Sequence, residues 1–355
     1  MQKEGFRMKK FDYSFLDNGL LPANFINITG TIYSLKTGAK IRKDGYEKIF
    51  TELEKIAVVQ SVKSSNAIEG IVTNDERIEQ IVNQNSQPLN HNENEIAGYR
   101  DALNEIHLHY KNIEFNENTI LRLHEMMMMY TGSEDAGRYK INQNYIIEED
   151  KQGNRKMRFQ PLDANEIPEA MEQLVLAYQD ASNNSNINQL LLIPCVILDF
   201  LCIHPFRNGN GRMSRLLTLL LLYKNGFDVG KYISFEEQIN KSKGNYYEAL
   251  RLSSIGWIEN EHSYIPFIEN FLSTLYMCYK ELDKRFSVVN SNKITKKARI
   301  EATILNNLTP ISKAEICKIL PDVSATTVEA VLGAMVKDGI IQIIGSGRNI
   351  KYMKT

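Results

Sequence analysis

The sequence predicts a mainly α-helical protein with one β-hairpin set into its helical core and a small helix-and-strand module at its C-terminal end. Three observations carry this. Apolar residues recur at three- and four-residue steps through most of the chain, as in Ile49, Leu53, Ile56, Val59 and Val62. One break in that rhythm is β-prone on both sides: Tyr145-Ile146-Ile147, a turn-rich stretch over 149–154, then Met157-Arg158-Phe159 before Pro161. The final stretch, 293–355, packs three short helical patterns and two strand patterns into one small unit.

The elements follow in order. Residues 1–40 show no sustained period and read as an extended arm, with Phe15, Leu16, Leu20 and Leu21 packing down. From Gly45 a helix runs into Ser64-Ser65-Asn66-Ala67-Ile68-Glu69-Gly70, where Gly70 is a natural stop, and a second covers 75–83. The polar stretch 83–94, with Pro88, reads as a loop. Helices fit 93–110, 116–130 and 165–181, then a long apolar helix over 188–203. The stretch 204–211 breaks that helix with Pro205, Gly209 and Gly211; another follows to about Asn225, where Gly226 can cap it. Further helices fit 236–240, 243–254 and 261–286. The polar, unperiodic stretch 286–293 marks a boundary. Beyond it, helices at 296–307, 312–319 and 324–337 and strands at 339–344 and 349–352 around residues 345–348 describe a winged helix. The expected division is 1–90, an N-terminal arm and helix; 91–286, the core; and 293–355, the winged helix.

Composition bounds the function. Apolar residues at 43% and charged residues at 24% suit a globular protein rather than a disordered one. A net charge of −1 gives no bulk field toward nucleic acid or membrane. Cys195, Cys202, Cys278 and Cys317 form no CxxC pair and have no His at zinc-finger spacing, so they read as small buried hydrophobes in a reducing compartment. The N-terminus has no apolar signal-peptide segment. Pro194 and Asp199 interrupt the apolar run 190–203, and 216–223 is too short to cross a bilayer. The expectation is a cytoplasmic protein with no membrane partner.

The chemistry points to His204-Pro205-Phe206-Arg207-Asn208-Gly209-Asn210-Gly211-Arg212-Met213-Ser214-Arg215. A buried helix ends there, and a loop with two glycines leads into another helix. Glycine lets backbone approach a ligand closely, and the new helix presents unpaired N–H groups and a positive dipole end. Together they form an anion cradle suited to phosphates. Arg212 and Arg215, three apart, share a face and can grip phosphate oxygens with forked donors. His204 stands at the loop entry, where an imidazole can act as a general base. A base beside a phosphate cradle implies phosphoryl or nucleotidyl transfer.

This segment resembles the Fic motif, HxFx(D/E)GNGRxxR. His204, Phe206, Gly209, Asn210, Gly211, Arg212 and Arg215 fall on it at the same spacing, and Asn208 stands where the family has Asp or Glu. The resemblance extends over roughly 45–285, through Gly137-Arg138-Tyr139-Lys140, the hairpin, Arg158-Phe159-Gln160-Pro161 and Tyr246-Tyr247. It implies a Fic helical core with a β-hairpin flap and an enzyme, a nucleotidyltransferase that moves AMP from ATP to a Ser, Thr or Tyr hydroxyl of a protein target. His204 would deprotonate that hydroxyl, and Phe206 would anchor the loop in the core. Arg207, Asn208 and the backbone at Gly209–Gly211, with Asn210, would face the phosphates. Arg212 would steady the leaving pyrophosphate, and Arg215 would grip the γ-phosphate. Ile146 and Ile147 on the flap would take the target segment as an added strand. Tyr247 would line the adenine pocket or pack in the core. The intact GNGRxxR favours AMP over the phosphate, UMP or phosphocholine that some relatives transfer.

Ser65-Asn66-Ala67-Ile68-Glu69-Gly70 resembles the family's inhibitory motif, (S/T)xxxE(G/N), on the N-terminal side of the core. Ser65 and Glu69 share one helix face, and the resemblance implies that Glu69 pairs with Arg215 and blocks the γ-phosphate. The winged helix admits two readings. Ser324-Ala325-Thr326-Thr327-Val328 could open a DNA-recognition helix, with Lys296, Lys297, Arg299, Arg348 and Lys351 nearby, which would make the protein a DNA-binding regulator with a weak nucleotide-binding core. Otherwise the module binds protein or is purely structural. Self-modification and an isologous homodimer complete the expected partners.

The family acid at Asn208 holds Mg²⁺, and an Asn offers one neutral carbonyl oxygen where that hard cation prefers charged ones. Asn208→Asp is therefore expected to lower the Mg²⁺ concentration needed for half-maximal automodification several-fold. Equal metal dependence in the two proteins would remove the idea.

Overall fold

The computed structural model describes residues 9–149, 155–290, 295–305, 307, 310–347 and 350–355. Its elements are α1 (Phe15–Asn18), α2 (Asn24–Gly45), α3 (Glu47–Ile68), α4 (Asp75–Gln84), α5 (His91–His109) and α6 (Glu117–Met128). The hairpin β1 (Ile146–Glu149) and β2 (Arg155–Phe159) follows, then α7 (Ile167–Asn183), α8 (Gln189–Ile203), α9 (Asn210–Lys224), α10 (Phe235–Lys241), α11 (Lys243–Ser254) and α12 (Ile265–Asn290). The C-terminal module holds α13 (Lys296–Leu305), α14 (Lys313–Ile319), α15 (Ala325–Lys337), β3 (Ile341–Ile344) and β4 (Lys351–Lys354). The architecture is mainly helical, as the apolar spacing requires. No helix is long and apolar enough to cross a membrane among the described residues.

The centre is the helix pair α8–α9. Every residue of α8 from Leu190 to Ile203 is buried, and α9 is buried through Tyr223 apart from Gly211. Two helices apolar on nearly all faces can persist in water only when other helices cover them. The loop joining them therefore rises out of a helix pair buried along nearly its whole length. Asp199, buried on α8, ties the surroundings in. Its carboxylate accepts hydrogen bonds from Tyr13 Oη (2.8 Å), Trp257 Nε1 (2.6 Å) and Tyr264 Oη (2.9 Å). Burial raises the Asp199 pKa.

The first 40 residues correct the expectation of an extended arm. Residues 24–45 form a 22-residue helix, α2. Phe25, Ile28, Ile32, Leu35 and Ala39 make a three-and-four stripe packed on the core, with Phe25 and Ile32 fully covered. Exposed Ile26, Tyr33 and Ile41 on the outer side hide that stripe from a one-dimensional reading. Leu20 also departs from expectation, lying fully exposed, whereas Leu16 is buried and Phe15 stacks on Tyr264 at 5.3 Å. Helix α12 runs on to Asn290, past the boundary expected at 286; residues 291–294 lie outside the described residues.

The hairpin pairs antiparallel, Ile147 opposite Met157 and Glu149 opposite Arg155, with an irregularity between Ile146 and Ile147. Its expected turn at 150–154 lies outside the described residues, as do Arg348 and Asn349 of the expected wing. The C-terminal module has its own core of Ile300, Ile304, Ile316, Val328, Leu332 and Ile341. Among the described residues, three of its cations pair within the module: Lys297 with Glu301, Arg299 with Asp322 and Lys313 with Glu329. Lys351 reaches Glu79 on α4 at 3.0 Å.

If α2 is a packed helix, Ile32→Ala should cost about 2–5 kcal/mol as a core truncation. Ile26→Ala on the open side should stay within about 0.5 kcal/mol. Chemical unfolding of the two variants checks this, and similar costs would contradict the packed stripe.

Candidate active site

The loop between α8 and α9 is built from its backbone outward. His204 ends α8 in the left-handed region (φ 54°), its N–H donating to the Phe200 carbonyl at 3.0 Å. A non-glycine residue there is uncommon and marks a conformation imposed by its surroundings. Phe206 is fully buried and stacks face to face on His124, centroids 3.7 Å apart and planes 6° apart. The loop carbonyls are turned into the protein and bonded. Pro205 O accepts from the Lys140 N–H (2.9 Å), Phe206 O from Asn210 Nδ2 (2.7 Å) and Asn144 Nδ2 (3.3 Å), and Asn208 O from His124 Nε2 (3.1 Å). Asn210 Oδ1 takes the Phe206 N–H at 2.9 Å. The Asn210 side chain thus braces the loop itself. Gly209 needs its left-handed φ of 82°, and a side chain there would also run into Met127. Helix α9 then begins, with the unpaired N–H groups of its first turn at the loop exit.

His204 carries a neutral imidazole with one nitrogen left as an acceptor. Its Nδ1 lies 3.4 Å from the Leu201 carbonyl, which can only accept, so Nδ1 carries the proton and Nε2 keeps a lone pair. Burial, aided by the charge on Lys140, lowers its pKa to about 4. The imidazole is therefore neutral at pH 7. Lys140 is itself buried, its pKa lowered to about 8 by burial, and its Nζ donates to Asn144 Oδ1 at 2.6 Å.

Both arginines are buried and both are occupied. Arg215 donates from Nε to Ser65 Oγ (2.8 Å), and from Nη2 to the Ser65 carbonyl (2.9 Å) and Glu69 Oε1 (2.8 Å). Burial opposes its charge, but Glu69, with Tyr246 and Tyr99, raises its pKa on balance. Glu69 caps α3 immediately after Ile68 and stays about one-third exposed. Its approach depends on Gly211, since a Cβ there would strike the Glu69 carboxylate. Arg212 pairs through Nη2 with Glu95 on α5 and contacts Asn66 Oδ1 at 3.4 Å. Burial lowers its pKa against the pull of Glu95. Its Nε is buried without a hydrogen-bond partner among the described residues.

Two cavities meet here, and Glu69, His204 and Gly211 line both. One, about 530 Å³, is walled by Arg207, Asn208, Gly209, Asn210, Arg212 and Glu95. The other, about 310 Å³, is walled by Phe159 of β2, Arg215, Tyr246 and Tyr247. The Tyr247 hydroxyl lies 3.5 Å from the Ile68 carbonyl, so this ring borders the end of α3 as well as the cavity. Arg207 is exposed and pairs with Asp135 at 3.3 Å. Ile146 and Ile147 are on β1, whose partner strand reaches the second cavity through Phe159. No group of three or more His, Cys, Asp or Glu suited to a metal occurs among the described residues. With a neutral carbonyl at Asn208, the residues present do not make a protein cage for Mg²⁺.

Sequence reasoning missed Glu95, Asn66 and His124. Glu95 lies 117 positions from Arg212, and His124 lies 84 from Asn208. Only Asn66 fell within a segment already singled out.

With this geometry in view, residues 114–222 match the model of the Fic/DOC family. The matched stretch is similar to a Fic domain and contains the whole segment 204–215. Among curated proteins it is similar to "Protein adenylyltransferase fic-1" of Caenorhabditis elegans, 25% identical over 166 residues, 46% of this chain and 29% of that protein. It is also similar to "Protein adenylyltransferase Fic" of Nematostella vectensis, 26% identical over 212 residues, 57% of this chain and 44% of that protein. The matches thus span less than half the length of these relatives. Among solved structures, a Fic family protein from Desulfovibrio desulfuricans superposes with a TM-score of 0.60 at 20% identity, covering 95% of this chain and 97% of that one. A Fic domain-containing signalling protein from Bacteroides thetaiotaomicron gives 0.58 at 20% identity over 73% and 96%. These likenesses establish the fold.

Burial also lowers the pKa values of His107 to about 3, and of His124 and His262 to about 4. A folded value below the unfolded one, about 6.5, means the unfolded chain binds more protons between the two. This contribution to stability is fully present above about pH 6.5 and is lost as pH falls toward 4. The melting temperature should therefore drop steadily over the acid side of neutrality. A constant value between about pH 6.5 and 5 would contradict the burial of these four neutral imidazoles.

Proposed function

We propose that this protein is an adenylyltransferase that moves AMP from ATP to a hydroxyl side chain of a protein target, and that Glu69 holds it in check. One observation carries the reading: a neutral imidazole and a buried guanidinium border the same cavity at the mouth of one helix, and the guanidinium is already taken by a carboxylate.

In this reading the adenine lies toward Tyr246 and Tyr247, and the triphosphate runs over the first turn of α9. His204 Nε2 accepts the proton of the target hydroxyl. The hydroxyl oxygen attacks the α-phosphorus, a new O–P bond forms, and the bond from the α-phosphorus to the bridging oxygen breaks. Pyrophosphate leaves with that electron pair, and its charge is met by Arg212 and the loop amides. Any Mg²⁺ is carried by the nucleotide, with Asn208 adding one neutral oxygen. The target lies along β1 as an added strand. The names of the two curated relatives support this chemistry, as does the intact spacing from His204 to Arg215.

The check on activity follows from occupancy. A γ-phosphate needs the Arg215 donors that Ser65 and Glu69 now hold. Removing the carboxylate frees one N–H of Nη2, while Ser65 still holds the other through its carbonyl and Nε through its hydroxyl.

Glu69→Gly is expected to raise AMP transfer at least ten-fold, the scale of about 1.4 kcal/mol in the barrier. His204→Ala should abolish transfer in either background. Mass spectrometry of Glu69→Gly incubated with ATP, Mg²⁺ and lysate would find an AMP adduct on Ser, Thr or Tyr. No adduct and no gain would overturn both halves of the reading.

A further inference from the structure

We propose that His124 is a positioning residue for this reaction: its ring fixes the loop so that the amides at Gly209–Gly211 face the nucleotide. The inference rests on the reading above, but its evidence is separate, because His124 belongs to α6 and to none of the motif segments.

Three contacts define its task. Its ring lies flat on Phe206, the side chain that seats the loop in the core. Its Nδ1 lies 3.0 Å from the Gly137 N–H, and its Nε2 lies 3.1 Å from the Asn208 carbonyl. A backbone N–H can only donate and a carbonyl can only accept. Nδ1 therefore holds the lone pair and Nε2 the proton. The tautomer is set by two backbone groups and is the reverse of that on His204. A second proton would put a donor on Nδ1 against the Gly137 donor. The surroundings also refuse one: burial lowers the pKa to about 4, with Arg212 opposing the charge and Asp135 and the Asn208 carbonyl favouring it.

The effect on the site follows from peptide planarity. The carbonyl of Asn208 and the N–H of Gly209 belong to one rigid unit and point in opposite directions. Holding the carbonyl inward toward α6 turns the next amide outward toward the cavity. The same contact ties the loop to the turn at Gly137, which leads through Lys140 to the Pro205 carbonyl. The ring thus joins the exit of the loop to its entry. It touches no reacting atom.

The test separates the two hydrogen bonds. A Gln amide stands in for the Nε2 donor, and an Asn carbonyl stands in for the Nδ1 acceptor. In the Glu69→Gly background, His124→Gln should keep kcat within about three-fold of the parent. His124→Asn should lower it about 10- to 100-fold while the KM for ATP changes little, because a misdirected amide acts on the transition state. Both variants lose the Phe206 stack, so their difference sets the bond to Asn208 against the bond from Gly137. Equal kcat values in the two variants, or a larger loss with Gln, would overturn the proposal. A parent with no AMP transfer would instead overturn the functional reading, and the catalytic part of this one with it. Should neither variant fold, nitrogen NMR on histidine-labelled wild-type protein decides. An Nε2–H tautomer that stays neutral down to about pH 5 supports the assignment, and an Nδ1–H tautomer or titration near 6.5 ends it.

Discussion

A guanidinium that is almost completely shielded from water must be met by acceptors on every side, and Arg215 imposes that demand on the whole helical core. Taking such a charge out of water costs several kcal/mol unless partners compensate it. Here the partners come from α3, whose Ser65 and Glu69 supply the acceptors. The position of α3 is in turn fixed by buried polar contacts. Ser61 donates to Glu236 at 2.8 Å, and Tyr99 on α5 donates to the same carboxylate at 2.9 Å. The fold therefore places α3 against α9 for an electrostatic reason as well as an apolar one. The same contact that satisfies the fold occupies the group a triphosphate would use.

The loop before α9 answers a different demand. Backbone at the edge of a fully buried helix pair cannot leave its carbonyls unbonded. Each of the carbonyls of Pro205, Phe206 and Asn208 has a donor from the scaffold: a backbone N–H at Lys140, side-chain amides at Asn144 and Asn210, and an imidazole at His124. With the Asn208 carbonyl held inward, the Gly209 amide of the same peptide points the other way. Under the proposed reading, the way this turn satisfies its acceptors would also supply an anion cradle.

How much of this was legible in one dimension depends on how far apart the cooperating residues lie. The segment 204–215 carried its chemistry locally, because a loop with two glycines and arginines three apart already fixes a face. The spacing of Ser65 and Glu69 likewise told which side of α3 they share. Glu95 and His124 gave no local sign, since each acts across the fold on a residue far away in sequence. Helix α2 was hidden for another reason. Its buried stripe is regular, but Ile26, Tyr33 and Ile41 place apolar groups on the wet side, and Gly30 and Gly38 weaken helix propensity. Packing on the core overrides that local weakness, and packing is not written in any window of a dozen residues.

The two arginines are not equivalent, and under the proposed reading the difference separates the carboxylate that would act as a check from the one that would not. Glu95 stands within α5, a helix buried along ten of its residues, and its partner Arg212 makes no second ion pair among the described residues. Losing it would strand a buried charge, so the pair behaves as part of the framework. Glu69 stands one residue past the end of α3, about one-third exposed, just before the left-handed Gly70. Rotating it away exposes a carboxylate to water and leaves Arg215 still bonded to Ser65. A contact made at a helix end, by a half-solvated group, with a remaining partner behind it, can be opened without unfolding its surroundings. Under the proposed reading, that asymmetry would let a phosphate compete for Arg215 while Arg212 stays in register.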